Sequence, residues 1–278
     1  MKKIKMLLTA ALLLICILNT CTAGCESPTP AGDFLYMINV CKGDSILLRV
    51  SGKYYLIDTA KSKYWDRLEE AFAEFGVTEL EGVFLTHTDK DHSGGLKKLV
   101  KSGVRVNNWY ASAFYVDEES EHPLVKALSK TDAKINFLKA GDSVDGLLRV
   151  LAPSAPDIID EDNNSLVMLL DNGFCRVLLT GDMEREEESL LVSSGAKLNC
   201  DVFKVPNHCD DDVCRFLDLK ALGAKVALIS TDPYDKPGTP DPFVLEMLAD
   251  AGMAVYRTDY AEKGILVLLD GSGRVTVR

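Results

Sequence analysis

Gly82 to Thr86 is a short apolar run that passes without a break into His87-Thr88-Asp89-Lys90-Asp91-His92-Ser93-Gly94-Gly95. No other stretch limits the fold so strongly. A buried strand offers side chains to a cleft at its end, and four potential metal ligands (His87, Asp89, Asp91 and His92) follow within six residues. Residues 87, 89 and 91 with 92 beside them cannot share one strand face, because side chains alternate along a strand. They require a loop that curls around an ion. Gly94-Gly95 lets the backbone turn tightly into the next helix. Imidazole with carboxylate suits Zn²⁺, Mn²⁺ or Fe. The plainer reading is a solvated loop with capping aspartates. Against it, the chain has only four histidines, and two of them lie here.

One cluster rarely completes a metal site. Three further strand ends carry partners: Asp58 after Tyr54 to Ile57, Asp182 after Leu178-Leu179-Thr180-Gly181, and His208 after Phe203 to Asn207. Each alone reads as a loop cap. Together with residues 87–92 they form the set a binuclear centre requires.

The rest of the chain predicts where these ends lie. Phe34, Tyr36, Ile38 and Val40 alternate as a half-buried strand does, and Ile46 to Val50 with Tyr54 to Ile57 read as a hairpin around Ser51-Gly52. Trp65, Leu68, Phe72 and Phe75 share a helical face that Gly76 stops. Further strands are expected at 104–111, 135–138, 147–151, 165–170, 175–180, 202–205, 226–230, 253–257, 265–269 and 275–277. Helices are expected at 95–101, 123–130, 183–192 and 243–251. Asp171-Asn172-Gly173 is a hairpin turn signal. Two strand-rich halves with interspersed helices predict a layered α/β architecture with two sheets inside. Residues 34–278 read as one domain.

Residues 1–24 read as a targeting segment. Lys2, Lys3 and Lys5 precede an apolar run from Met6 to Leu18, too short for a comfortable membrane span and suited to a signal peptide. Thr22-Ala23-Gly24-Cys25 resembles a bacterial lipoprotein cleavage site, which makes Cys25 the expected lipidated residue. An uncleaved anchor is the alternative, and both put the domain outside the cytoplasm. Residues 25–33 read as a tether. Five cysteines remain after Cys25: Cys41, Cys175, Cys200, Cys209 and Cys214. Cys175 and Cys200 are expected as buried fillers, and Cys209 with Cys214 as a feasible pair. His122, in an acidic stretch, is expected at the surface, and Glu184 to Glu188 as a solvated helix face.

His87-Thr88-Asp89-Lys90-Asp91-His92 with Gly94-Gly95 resembles the metal-binding motif of the metallo-β-lactamase superfamily. Asp89, where many members have a second His, resembles the ComEC-type branch, the extracytoplasmic hydrolase-like domain of the competence DNA-uptake channel and its stand-alone relatives. Residues 39–45, Leu56-Ile57-Asp58-Thr59-Ala60, Asn164-Ser165-Leu166-Val167, Leu179-Thr180-Gly181-Asp182, Lys204-Val205-Pro206-Asn207-His208 and Tyr256-Arg257-Thr258-Asp259 are similar to that branch in the same order. The resemblance implies a four-layer αββα sandwich and one or two Zn ions, with Mn or Fe as substitutes. His87 and Asp89 would hold one metal, Asp91 and His92 the second. Asp182 would bridge them and His208 would complete the second position. Asp91 and Asp182 are the implied catalytic carboxylates, around a water or hydroxide activated by the cations. Asp58 would support the 87–92 loop from behind.

Departures from the pattern fall close to the metals. The usual His pair is Asn207-His208, and Cys209-Asp210 follows where Gly-Ser is usual. Cys209 is a possible thiolate ligand. The branch's Gly-His-Pro reads Gly238-Thr239-Pro240, so Thr239 replaces an expected His. No His stands where the first position takes its third imidazole, and Asn164 occupies roughly that place. The resemblance implies hydrolysis of a phosphodiester in a nucleic acid, nucleotide or cell-surface phosphate ester. The rivals are a hydrolase of the same fold acting on a β-lactam, lactone or thioester, and a non-catalytic binding protein that kept the fold. Loops 111–123 and 232–242 would set specificity.

Charge limits the partners. Lys plus Arg is 31 and Asp plus Glu is 42, a net −11. Residues 1–24 carry three lysines and no acid, so the remainder stands at −14. Such a surface lacks the footprint of a tight, sequence-independent duplex-DNA binder. The expected partners are a small-molecule or phosphodiester substrate and, through the lipid, a membrane.

Overall fold

The computed structural model describes residues 30–116, 121–234 and 238–278. The leader and Cys25 lie outside them. The chain is already tied down at its first described residues: Arg49 donates to the carbonyls of Ala31 and Gly32, and Asp33 accepts from Ser51 N and Asn172 Nδ2.

Among the described residues fifteen strands run in chain order as β1 (Phe34–Ile38), β2 (Ile46–Val50), β3 (Lys53–Ile57), β4 (Glu79–Leu85), β5 (Arg105–Ser112), β6 (Ile135–Leu138), β7 (Ser143–Val144), β8 (Leu148–Ala152), β9 (Val167–Asp171), β10 (Arg176–Leu179), β11 (Val202–Lys204), β12 (Val226–Ile229), β13 (Ala254–Arg257), β14 (Gly264–Leu268) and β15 (Val275–Val277). One sheet has the order β15-β14-β1-β2-β3-β4-β5-β6, the other β13-β12-β11-β10-β9-β8-β7. The connections β3 to β6 and β10 to β13 are parallel, while the hairpins are antiparallel. The helices are α1 (Trp65–Phe75), α2 (Lys90–Ser93), α3 (Leu96–Leu99), α4 (Pro123–Leu128), α5 (Arg185–Ser193), α6 (Leu219–Leu222) and α7 (Pro242–Asp250).

The layers follow from which residues meet. Leu35, Met37, Leu48 and Phe84 of the first sheet pack with Met168, Leu170, Val177 and Leu228 of the second, forming the core between sheets. The outer face of the first sheet, with Phe34, Tyr36, Ile38 and Leu56, is covered by Trp65, Leu68, Phe72 and Phe75 of α1. The outer face of the second, with Leu169, Leu178 and Phe203, is covered by Leu191, Leu219, Val244 and Leu248 of α5, α6 and α7. The result is the expected αββα sandwich. Each large apolar side chain so buried contributes about 1.5–3 kcal/mol.

Strand β1 corrects one expectation. It is not half-buried: all five residues are buried, with Phe34, Tyr36 and Ile38 facing α1 and Leu35 and Met37 facing the second sheet. A central strand of a four-layer sandwich has no wet face.

Two polar stretches also turn inward. His122 is not at the surface. It is 4% exposed, caps α4 by accepting from Leu124 N at 3.2 Å, and stands edge-on to Tyr115 and Phe137. Burial lowers its pKa, which keeps the capping nitrogen neutral. The Glu184 to Glu188 run is not a wholly solvated face either, because Glu187 and Glu188 are buried. Glu188 accepts from the backbone N–H of Arg215, Phe216 and Leu217 at 2.9, 3.0 and 2.8 Å. Burial pushes the Glu187 carboxyl up to about 7. Cys209 and Cys214 are both buried and free rather than paired.

Candidate metal centre

Parallel strands bring their carboxyl ends to one edge, where open α/β sheets place their sites. Asp58 follows β3, His87 follows β4, Asp182 follows β10 and His208 follows β11. Asp89 stands just before the short helix α2, which carries Asp91 and His92. Gly43 seats this helix: a Cβ there would stand 2.7 Å from the Asp91 carbonyl. Gly95 lies against Thr59 in the same way and admits no side chain without a backbone shift.

Asp58 turns the chain sharply, with φ +61°. It accepts from Thr86 N at 2.8 Å, Thr86 Oγ1 at 2.7 Å and His92 Nδ1 at 2.8 Å. The opposite nitrogen of His92 lies 3.1 Å from Asp182 Oδ2. His208 Nε2 lies 2.9 Å from that same oxygen and 3.8 Å from Asp91 Oδ2. His208 donates from Nδ1 to the Ser230 carbonyl at 2.9 Å, which leaves Nε2 as the free lone pair. Asn207, His208 and Cys209 have φ of +37°, +55° and +65°. Three consecutive left-handed residues other than glycine are costly, and strain of this kind concentrates at functional sites.

His87, His92, Asp182 and His208 are each no more than 2% exposed. Asp91 is nearly buried and Asp89 is exposed. Partial desolvation by the surrounding loops raises the Asp89 carboxyl even though it reaches solvent, and Asp162 and Asp91 beside it add to that, against His87. Desolvation would raise Asp91 too, but His92 and Lys42 outweigh it and bring it to about 2. Asp182 is likewise held well below its usual range, against desolvation, by His208, His92 and Lys204.

The side chains fit a divalent metal. Nε2 of His87 and Nε2 of His208 are buried and make no hydrogen bond. Both come within 3.4 Å of a carboxylate oxygen without hydrogen-bond alignment, as ligands aimed at a common point do. Among the described residues five groups offer ligand atoms within 4.8 Å of one another, and three of them hold the expected ligands: His87, His92 and Asp182; Asp91, His92 and His208; His87, Asp89 and Asp162. Imidazole and carboxylate donors of this kind hold Zn²⁺, Mn²⁺ or Fe²⁺.

Other expected site residues fall elsewhere. Asn164 does not take the place of an imidazole: it braces its own loop, accepting from Asp157 N at 2.9 Å and donating to the Asp157 carbonyl at 2.8 Å. Cys209 packs in the outer core of the second sheet and joins none of the ligand groups among the described residues, and burial pushes its thiol up to about 12. Asn207 donates to Asp162 Oδ2 and Glu184 Oε1. Thr239 is buried, and its loop is fastened to the His208 turn by a 2.7 Å bond from Asp241 N to the Cys209 carbonyl.

Four residues complete the centre without having been expected there. Lys204 is buried in β11, with Nζ 2.7 Å from Asp44 Oδ2, 2.8 Å from the Gly181 carbonyl and 3.4 Å from Asp182 Oδ1. Asp44, buried between β1 and β2, also accepts from Ser230 Oγ. Lys42 Nζ pairs with Asp91 at 2.8 Å on the open side. Asp162 lies 3.4 Å from His87. A lysine inside the apolar run Val202 to Val205 was one signal, and the 39–45 run that holds Lys42 and Asp44 was another. Asp162 sits in an ordinary polar loop.

The profile of the Metallo-beta-lactamase superfamily matches residues 38–231. ComE operon protein 3 of Bacillus subtilis is 28% identical over 244 residues, covering 80% of this chain and 31% of that protein. Recombination protein 2 of Haemophilus influenzae is 27% identical over 228 residues, covering 80% and 27%. The chain therefore spans less than a third of the length of these curated relatives. Among solved structures, the metallo-beta-lactamase fold protein YhfI from Bacillus subtilis aligns with a TM-score of 0.56 at 14% identity, over 84% of this chain and 98% of that one, a likeness of fold alone. The profile, the two stacked sheets and the convergent His and Asp side chains agree: this chain belongs to the metallo-β-lactamase superfamily, and its relatives include competence-type proteins.

Proposed function

We propose that the chain is a metal-dependent hydrolase of phosphodiester bonds, in a nucleic acid, nucleotide or cell-surface phosphate ester, acting outside the cytoplasm. The observation that carries this reading is the convergence of two unpartnered buried imidazole nitrogens, of His87 and His208, on the carboxylates of Asp162 and Asp182. His87, Asp89, Asp91, His92, Asp182 and His208 would hold one or two divalent ions. When bound, such ions supply Lewis acidity, lowering the pKa of water and polarising a phosphoryl oxygen.

The chain's own residues do the rest. Asp58 holds the proton on Nδ1 of His92, and the Ser230 carbonyl does the same for His208, so both rings present Nε2 to the centre. Lys204 keeps Oδ1 of Asp182 occupied, which leaves Oδ2 between the two imidazoles. Lys42 places an ammonium at the mouth, 18% exposed, where an anionic diester would approach. That cation and the competence-type relatives favour a phosphodiester over a β-lactam, lactone or thioester.

Bis(p-nitrophenyl) phosphate tests the reading. Protein loaded with Zn²⁺ or Mn²⁺ is expected to turn it over, and chelation or Asp182→Ala to abolish that turnover. Metal-loaded protein that ignores the diester but opens a β-lactam or thioester would overturn the substrate class. Protein inert to all of them would favour a binding role.

The leader supports a membrane-anchored form lipidated at Cys25. Among the described residues no helix is long and apolar enough to cross a membrane. Cys25→Ala should release the protein from membranes or block its processing, and unchanged localisation would exclude that anchor.

A further inference from the structure

The first metal position lacks the third imidazole that the superfamily pattern leads one to expect, and Asn164 is engaged elsewhere. Asp162 reaches the position instead. Its Oδ1 lies 3.4 Å from Nε2 of His87, a fully buried ring whose nitrogen has no hydrogen bond. His87, Asp89 and Asp162 each bring one ligand atom within 4.8 Å of the others.

The loop that carries Asp162 is fastened at this spot. Glu161 accepts from Thr88 N at 2.9 Å, from Thr88 Oγ1 at 2.6 Å and from Val116 N at 2.7 Å. Leu166 N donates to the Thr86 carbonyl at 3.0 Å, and Ser165 Oγ lies 3.2 Å from Nδ1 of His87. The second oxygen of Asp162 accepts from Nδ2 of Asn207 at 3.1 Å, and the same nitrogen donates to Glu184 at 2.6 Å. Asn207 is the residue that stands where the pattern has the first His of a pair. The two departures therefore meet in one contact.

We propose that Asp162 is the third protein ligand of the first metal position and that Asn207 is the positioning residue that aims it. The assignment rests on the metal reading above and deepens it. One imidazole and two carboxylates make an oxygen-rich set, which favours Mn²⁺. The second position, with His92 and His208 beside Asp91 and Asp182, is richer in nitrogen and favours Zn²⁺.

Metal-free protein reconstituted with Mn²⁺ or Zn²⁺, desalted and assayed for bound metal, tests this without any turnover assay. Wild type is expected to hold two ions and Asp162→Ala one. Asp162→Asn should weaken Mn²⁺ at one position at least tenfold, read from the free-ion EPR signal. Asp162→His should restore two ions with Zn²⁺ but not with Mn²⁺. Asn207→Ala should weaken the same position several-fold, with no added effect on top of Asp162→Ala. The metal-free Asp162 variants should melt within about 2 °C of wild type, which separates ligand loss from misfolding. Wild-type stoichiometry and affinity in Asp162→Ala and Asp162→Asn would overturn the assignment and leave the metal reading standing. A wild type that holds no metal would overturn both.

Discussion

Nδ1 of His92 lies 2.8 Å from Oδ2 of Asp58, and both side chains are fully enclosed. A carboxylate only accepts, so Asp58 holds a proton on Nδ1, and Nε2, which faces Asp182, is the nitrogen whose lone pair a metal would take. Asp58→Asn keeps the size of the side chain and can still accept from Thr86. Its amide, however, donates to Nδ1 and drives the proton to Nε2. The variant is expected to bind metal 10–100-fold more weakly than wild type, roughly the loss seen when such outer partners are removed. A chelator-competition titration measures it, and unchanged affinity would show that the tautomer is set by something else.

The same pair makes metal uptake pH-dependent. Burial alone would lower the pKa of His92, but Asp182 and Asp58 outweigh it and hold it well above the usual value. Metal-free protein at neutral pH therefore carries an imidazolium between two carboxylates. That arrangement stabilises the metal-free fold fully below the unfolded pKa of about 6.5, and the stabilisation is lost as pH rises through the folded value. A metal must displace this proton. From pH 8 down to pH 6 affinity should fall steadily, and calorimetry in two buffers should show protons released on metal binding. An affinity that is flat across this range would contradict the account.

Lys204 is the counter-ion of two buried carboxylates. Lys204→Met leaves Asp44 and Asp182 without it and should cost about 3–5 kcal/mol in the metal-free protein. A divalent ion beside Asp182 would replace part of the missing charge. The rise in Tm on adding metal should therefore be larger in the variant than in wild type. A variant as stable as wild type without metal would show that the network contributes nothing.

Glu188 is a structural acceptor away from the ligands. Glu188→Ala strands the N–H groups of Arg215, Phe216 and Leu217, an expected loss of about 3 kcal/mol by denaturant melts. The metal content of the folded fraction should be unchanged. A fall in metal content at full stability would assign the residue to the site instead.

The sequence made the centre legible where ligands are neighbours or end apolar strands. Residues 87–92 are local, and Asp182 and His208 follow runs whose burial is plain from composition. What stayed hidden depends on chain segments far apart. Asp162 becomes a neighbour of His87 only when Leu166 pairs with Thr86, and Lys204 meets Asp44 across 160 residues. His122 and Glu188 look solvated because their own neighbours are charged, yet their partners are Leu124 N at a helix start and three amides beyond α5. Strand β1 shows the same limit. Its alternation is real, but a second sheet covers the face that alternation would leave wet.

Anomalous diffraction from crystals grown with Zn²⁺ or Mn²⁺ tests the central claim most directly. The account predicts a peak about 2.0–2.2 Å from the Nε2 atoms of His92 and His208 and from Oδ2 of Asp182, and a second beside His87 and Asp89. Crystals that hold metal only at surface carboxylates, with no peak among these side chains, would contradict it.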